Sequence, residues 1–321
     1  MHAPPAPAPA RARAGQLEVS RPRRDGERRR WLGIRRHPGV YAVMAAYAVA
    51  STALMATHTV GITAEHALLL LIVVLAAVAP MRALVWDWMP FLFVAVMFED
   101  FGSMAATIGP QAHVLQPIGL ERALLGGNVA TVWLQQRMHA PGTLTAYDWT
   151  LSAAYLSHFA APVVAGLWVW LRHRPRFGAY VSVFVLVMAS GFLVHLLYPQ
   201  TPPWLAARQG ALPPVERIDV TVLDRIVGFG RLYSGADPEP NGAMPSLHVA
   251  LPVMIVCFAL WLGPRRRAMW LLLLYPLTVC FATLYLGEHY LADVLAGIAL
   301  GLLCFAVVRL AGSRRRAART G

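Results

Sequence analysis

The sequence predicts an all-α fold, a polytopic bundle of about eight transmembrane helices, and three observations carry that prediction. The chain of 321 residues is 57% hydrophobic and only 14% charged, with a mean hydropathy of +0.52, a balance too apolar for a soluble domain of this length. Eight apolar stretches follow one another, close to the ~20 residues that a helix needs to cross a bilayer. Arginines gather at alternate junctions between those stretches, as the positive-inside rule requires of a threaded chain.

Residues 1–38 are rich in Pro, Ala and Arg and hold no apolar run, so a disordered basic cytoplasmic tail is expected. Residues 39–150 are expected to hold accessory transmembrane helices at 41–61, 67–86 and 88–107, followed by an outer loop. Only Arg82, Trp86 and Asp87 separate the second and third stretches, which leaves a re-entrant hairpin as an alternative. Segment 108–150 is too polar to span, and its Trp133 to Arg137 portion is expected to lie on the outer surface. Spans at 151–171, 178–198, 246–263, 268–286 and 290–311 then form a second bundle over 151–311. Residues 312–321 close the chain as a basic cytoplasmic tail.

The net charge of +12 does not point to nucleic acid, because the arginines sit in clusters beside apolar stretches instead of lining one face with aromatics. Arg82, Arg172/Arg174/Arg176, Arg265/Arg266/Arg267 and Arg314/Arg315/Arg316/Arg319 mark the cytoplasmic junctions. That pattern predicts an integral protein of the cell membrane with both termini cytoplasmic. Cys257, Cys280 and Cys304 all lie inside apolar stretches without metal-ligand spacing, and read as small packing residues.

Two strings near the C-terminus carry the chemistry: Met244-Pro245-Ser246-Leu247-His248 and His289-Tyr290-Leu291-Ala292-Asp293. Each opens an apolar stretch on the outer face, and the 41-residue step from His248 to His289 is the length of one helical hairpin. The imidazoles are therefore expected to meet in one shallow pocket. The i,i+4 spacing of His289 and Asp293 puts carboxylate and imidazole on one helix face. The aspartate is expected to accept from one ring nitrogen and leave the other free to attack. His248 has the right character for a general acid. Pro245 is expected in a first helical turn, with backbone N–H groups around Ser246 to His248 and the Ser246 hydroxyl facing a phosphate. No DxD pair, metal-type cluster or Gly-rich nucleotide loop is present, so neither metal nor soluble cofactor is expected.

These motifs resemble the second and third signatures of the type 2 phosphatidic acid phosphatase (PAP2) superfamily. The text from Tyr198 to Trp204, from Asn241 to His248 and from Glu288 to Tyr290 is most similar to the branch holding inositol phosphorylceramide synthases. The likeness covers roughly 150–311. It implies a PAP2-like helical core, a phosphohistidine on His289, and His248 protonating the leaving group. The chain departs from the family at two places: Thr201-Pro202-Pro203-Trp204 stands where a lysine and an arginine are usual, and Ala282-Thr283 replaces the Ser-Arg pair upstream of the histidine. Replacement cations are sought in the outer loop among Arg208, Arg217, Arg225 and Arg231, with Arg208 and Arg231 expected to bind phosphate and Arg208 preferred because it follows Trp204 closely. Trp204 itself is expected to anchor the loop at the interface.

The expected function is transfer or hydrolysis of a lipid phosphate or phosphodiester at the extracytoplasmic face, with phosphoinositol-type headgroup transfer favoured. A plain phosphatase on a lipid phosphate or polyprenyl diphosphate remains open, as does a non-catalytic transporter or scaffold. The partners implied are the bilayer and a membrane lipid, and the sequence assigns no protein partner. Glu99-Asp100 are expected to be wet at a kink, and Tyr155, Ser157, His158 and His195 to hydrogen-bond between helices near the pocket. Gly287 is expected to permit a tight turn.

Overall fold

The computed structural model describes residues 87–91, 93–94, 111–226, 241–263 and 266–320. The tail 1–38, the spans at 41–61 and 67–86, most of the span at 88–107 with Glu99-Asp100, and Arg231 lie outside the described residues. Among the described residues, the secondary structure is helical, with only isolated bridges joining His113, Gln200 and Gly242.

Two short outer helices come first, α1 (Leu115–Leu124) and α2 (Ala130–Met138). A long antiparallel pair follows, α3 (Ala146–Arg172) and α4 (Arg174–Leu197), then two short helices in the outer segment, α5 (Pro203–Arg208) and α6 (Ile218–Asp224). The last three are α7 (Leu247–Leu262), α8 (Arg266–Tyr285) and α9 (Leu291–Thr320). Helices α3, α4 and the Leu291–Arg314 part of α9 are long and apolar enough to cross a membrane, and α7 and Leu271–Tyr285 are shorter apolar helices. Helices thus occupy all five expected spans from 151 onward in an integral membrane protein, and three of the five have the length and apolarity to cross a bilayer.

Local chemistry sets the boundaries. A capping box starts α3, with the Asp148 carboxylate accepting from Thr145 N–H and Thr145 Oγ1, both at 2.7 Å, which satisfies donors that a first turn leaves unpaired. Gly263, at φ +82°, ends α7 in the left-handed conformation. Pro162 interrupts the bonding of α3 from within, and its carbonyl accepts from the buried Tyr180 hydroxyl on α4 at 2.6 Å.

The core sits where α4, α7 and α9 meet: Tyr180, Val183, Val187, Ala250, Met254 and Phe258 are almost fully buried there. Small residues allow the closest approach. A Cβ on Gly301 of α9 would lie 2.7 Å from the Ala250 carbonyl of α7, and one on Gly297 would strike the Ser246 carbonyl. The i,i+4 glycines let the two backbones nearly touch, the geometry by which membrane helices associate without a hydrophobic driving force. That contact fixes the first turn of α7 against the first turns of α9.

Candidate active site

His248 lies in the first turn of α7 and His289 in the turn between α8 and α9, and the His248 Nδ1 to His289 Nε2 distance is 3.1 Å. His289 is 4% exposed; His248 is half-buried. The turn that presents His289 is tightly held. Thr283 O accepts from both Glu288 N–H and His289 N–H at 3.2 Å, and Gly287 O accepts from Trp204 N–H at 3.0 Å. Gly287 has φ +95° and a Cβ there would meet the Glu216 carbonyl at 2.9 Å, so both conformation and space require glycine.

One expected contact is replaced by another. His289 Nδ1 is 2.8 Å from the Ala243 carbonyl but 3.6 Å from the Asp293 carboxylate. A carbonyl only accepts, so Nδ1 carries the proton, Nε2 of the neutral ring carries the lone pair, and His248 Nδ1–H donates to it. Ala243 O, instead of Asp293, sets the tautomer. Asp293 is fully buried and accepts from Tyr290 N–H at 2.8 Å and from Gln200 Nε2 at 2.6 Å. The i,i+4 spacing brought it near the ring, but helix capping and Gln200 took its oxygens.

Pro245 also differs from expectation. It precedes the cap, Ser246 is the N-cap residue and the helix begins at Leu247. Ser246 N–H donates to the Asp293 carbonyl at 3.0 Å, so the helix-start donors open to an anion begin at Leu247. The Ser246 hydroxyl is buried without a hydrogen-bond partner.

Of the expected cations, Arg208 stands exposed at the end of α5 with its guanidinium 5.9 Å from the Trp204 ring centre, and Arg225 is exposed. Arg217, at the start of α6, has Nε 2.5 Å from Glu288 Oε1 and its guanidinium 4.7 Å from the Trp204 ring. Trp204 is 9% exposed, an interior platform for that arginine and not an outward anchor. Burial works against the Arg217 charge, but Glu288 and then Asp219 more than offset it and hold the guanidinium protonated. Burial, reinforced by Glu288, pushes the Asp219 carboxyl well above the usual carboxylate range.

Around the imidazole pair, Tyr155 of α3 stacks on the His248 ring at 4.2 Å and His158 meets it edge-on at 3.9 Å. His195 Nε2 is 3.2 Å from the Pro245 carbonyl. Ser157 makes the expected interhelical hydrogen bond, with the Tyr275 hydroxyl of α8 at 2.9 Å. The outer helices reach the same place: Thr131 Oγ1 donates to Leu284 O at 2.7 Å, and Gln135 Nε2 to Glu216 O and Tyr285 O, each at 2.8 Å. Trp133 faces outward, 42% exposed, and Leu134 inward. Glu121 of α1 is fully buried and its Oε1 accepts from Leu291 N–H at 3.0 Å and Ala130 N–H at 3.4 Å. Burial raises its pKa to about 7.

The sequence reading missed Ala243 O, Gln200, Glu121 and Thr131. A backbone carbonyl leaves no trace in a sequence motif, and the other three are ordinary polar residues remote in the chain. Gln200 is the most connected of them. Its N–H donates to Asn241 O, its carbonyl accepts from Ala243 N–H, and its side chain holds Asp293.

The chain is 25% identical to the inositol phosphorylceramide synthase catalytic subunit of Schizosaccharomyces pombe, over 58% of this chain and 44% of that protein. It is 25% identical to the phosphoinositol dihydroceramide synthase of Bacteroides thetaiotaomicron, over 78% of this chain and 85% of that one. It is 38% identical to a lipid A 1-phosphatase of Helicobacter pylori, over 48% of this chain and 69% of that one. The chain spans less than half the length of the fungal synthases that it matches. No solved structure matches it. The PAP2 superfamily model matches residues 118–307, which run from α1 through all the helices that carry the two motifs. The chain belongs to the PAP2 superfamily.

Proposed function

We propose that this chain is an integral-membrane phosphotransferase that moves a phosphoinositol-type headgroup onto a lipid alcohol at the extracytoplasmic face, through a phosphohistidine on His289. The observation that carries the reading is the 3.1 Å contact between His248 Nδ1 and His289 Nε2, which puts a lone pair and an acidic proton at one spot. A phosphodiester entering there replaces that contact. His289 Nε2 attacks phosphorus, the P–O bond to the departing alcohol breaks, and His248, acting as the imidazolium, gives its Nδ1 proton to that oxygen and becomes neutral. The acceptor hydroxyl then gives its proton to His248 as its oxygen displaces His289 Nε2 from phosphorus. Asp293, 3.6 Å from Nδ1, supports the cationic phosphohistidine by its charge. Ser246 Oγ, buried without a partner, and the N–H groups from Leu247 onward supply phosphate donors; Arg208 and Arg231 are the sequence-derived cation candidates.

The similarity to two phosphoinositol-lipid synthases favours transfer. The higher local identity to a lipid phosphatase supports a second reading, in which water is the acceptor. The cytoplasmic placement of both termini rests on the charge pattern: Arg176 and Arg309 both lie on Trp261, at 4.7 and 4.4 Å, at the end of α7 away from His248.

Purified protein supplied with a labelled inositol phospholipid and with water, ceramide or diacylglycerol as acceptors tests both readings. A new inositol-phosphate lipid that disappears in His289→Ala is the expected result. Release of water-soluble inositol phosphate alone selects the phosphatase, and undiminished activity in His289→Ala overturns the mechanism.

A further inference from the structure

A phosphoryl group in flight carries negative charge that a fixed cation must meet. The chain lacks the arginine that its family places six residues before His289: Thr283 stands there, fully buried, with its carbonyl bonded to the turn of His289. Among the described residues, one arginine is built into the histidine end of the bundle. Arg217 is 13% exposed, and its ion-pair partner Glu288, itself 7% exposed, is joined by a peptide bond to His289. Arg217 is also within electrostatic reach of Tyr155, the ring stacked on His248. The guanidinium thus pairs with the residue preceding His289 and lies within electrostatic reach of His248, with its flat face on Trp204.

We propose that Arg217 is the phosphate-binding cation of this site, clasped by Glu288 in this structure and passing its planar fork to the phosphoryl oxygens of a bound lipid phosphate or phosphodiester. The inference rests on the phosphotransfer reading and names the residue that gives it charge complementarity. A guanidinium suits the task because it offers five donors in a fixed plane and pairs with phosphate bidentately. Exchange of partners is feasible because Glu288 is not left alone. Asp219 lies beside it, fully buried, with neither carboxyl oxygen in a well-formed hydrogen bond. In its neutral form Asp219 can turn its hydroxyl to the Glu288 carboxylate as Arg217 leaves. Glu288 therefore competes with substrate for the arginine, and its removal strengthens anion binding.

Orthovanadate, a phosphate mimic, is the probe, with full-length protein in detergent micelles and lipid turnover as the readout. Glu288→Gln is expected to lower the vanadate inhibition constant several-fold. Arg217→Lys, which keeps the charge and loses the fork, is expected to raise it about tenfold, as suits the loss of one charge-assisted hydrogen bond. Arg217→Gln alone buries an unpaired Glu288 and risks unfolding, so Arg217→Gln/Glu288→Gln, which removes both charges together, is the decisive variant. At an unfolding midpoint near that of Glu288→Gln, it is expected to bind vanadate about 10- to 100-fold more weakly than Glu288→Gln. Equal inhibition constants for those two variants overturn the inference alone. A wild-type protein with neither turnover nor vanadate sensitivity overturns the phosphotransfer reading and this inference with it.

Discussion

At the scale of single residues, the two histidines hold different positions and different protons. His289 is turned by a backbone carbonyl, so no side-chain substitution removes its orienting bond, whereas His248 is held by rings, Tyr155 on one face and His158 at the edge. The assignment of His248 as acid has a specific consequence. His248→Ala is expected to lower turnover of an alkyl phosphodiester about 10²- to 10⁴-fold, the usual span of general acid catalysis. The same variant is expected to recover most activity on an aryl ester, whose leaving oxygen departs without a proton. His289→Ala is expected to be inactive on both. Initial rates on paired alkyl and aryl substrates check this, and equal loss on both substrates in His248→Ala removes the acid role. The closeness of both histidines and Asp293 was legible in the sequence, because hairpin length and i,i+4 spacing set it. Ala243 was not, because any residue supplies a carbonyl.

Elements explain how that pair is held still. The glycines at 297 and 301 bring α9 against α7, and the outer helix α1 is fastened to the start of α9 by one carboxyl, Glu121 accepting from Leu291 N–H. Burial raises that carboxyl from 4.5 to about 7, so the folded protein binds its proton more tightly than the unfolded chain. The sign follows from linkage: stability from this group is full below about pH 4.5 and is lost as pH rises to about 7, on the order of 3 kcal/mol in all. The thermal midpoint of the wild type is expected to fall between pH 5 and pH 8 through this group. Glu121→Gln, which stays neutral, is expected to flatten that fall, as differential scanning fluorimetry in detergent at several pH values reads directly. An unchanged pH profile in Glu121→Gln removes Glu121 as its source. The outer segment was legible as non-spanning from its polarity, but its fold was not. Leu134 and Gln135 turn inward to bond and pack under the α8–α9 turn, while Trp133 faces out, a split that only the partner surface decides.

For the whole molecule, the helices carry the two histidine motifs at one end and cationic side chains at the other. Helix α7 separates His248 from Trp261 by about 20 Å at 1.5 Å per residue, and Arg176 and Arg309 flank that tryptophan. The proposed topology, argued from the charge pattern, puts the cationic end in the cytoplasm. In a variant with Cys257, Cys280 and Cys304 replaced, a single cysteine at Gly142 is expected to react with a membrane-impermeant maleimide in intact cells. One at His173, between α3 and α4, is expected to react only after lysis. The reverse pattern places the histidines on the inside.

The sequence alone determined the helical membrane architecture from 151 onward, because a bilayer demands long apolar runs that internal packing cannot disguise. It also determined that His248 and His289 meet with Asp293 close by, because their spacing is set within one hairpin and one helix turn. Tertiary structure alone decided which atom orients His289, which residues wall His248, and which arginine pairs with Glu288, the residue preceding His289. Arg208 is nearer to Trp204 along the chain, yet it stands exposed while Arg217 is half-buried against Glu288. Such contacts join residues tens of positions apart, and chain order carries no record of which of several equivalent arginines the fold turns inward.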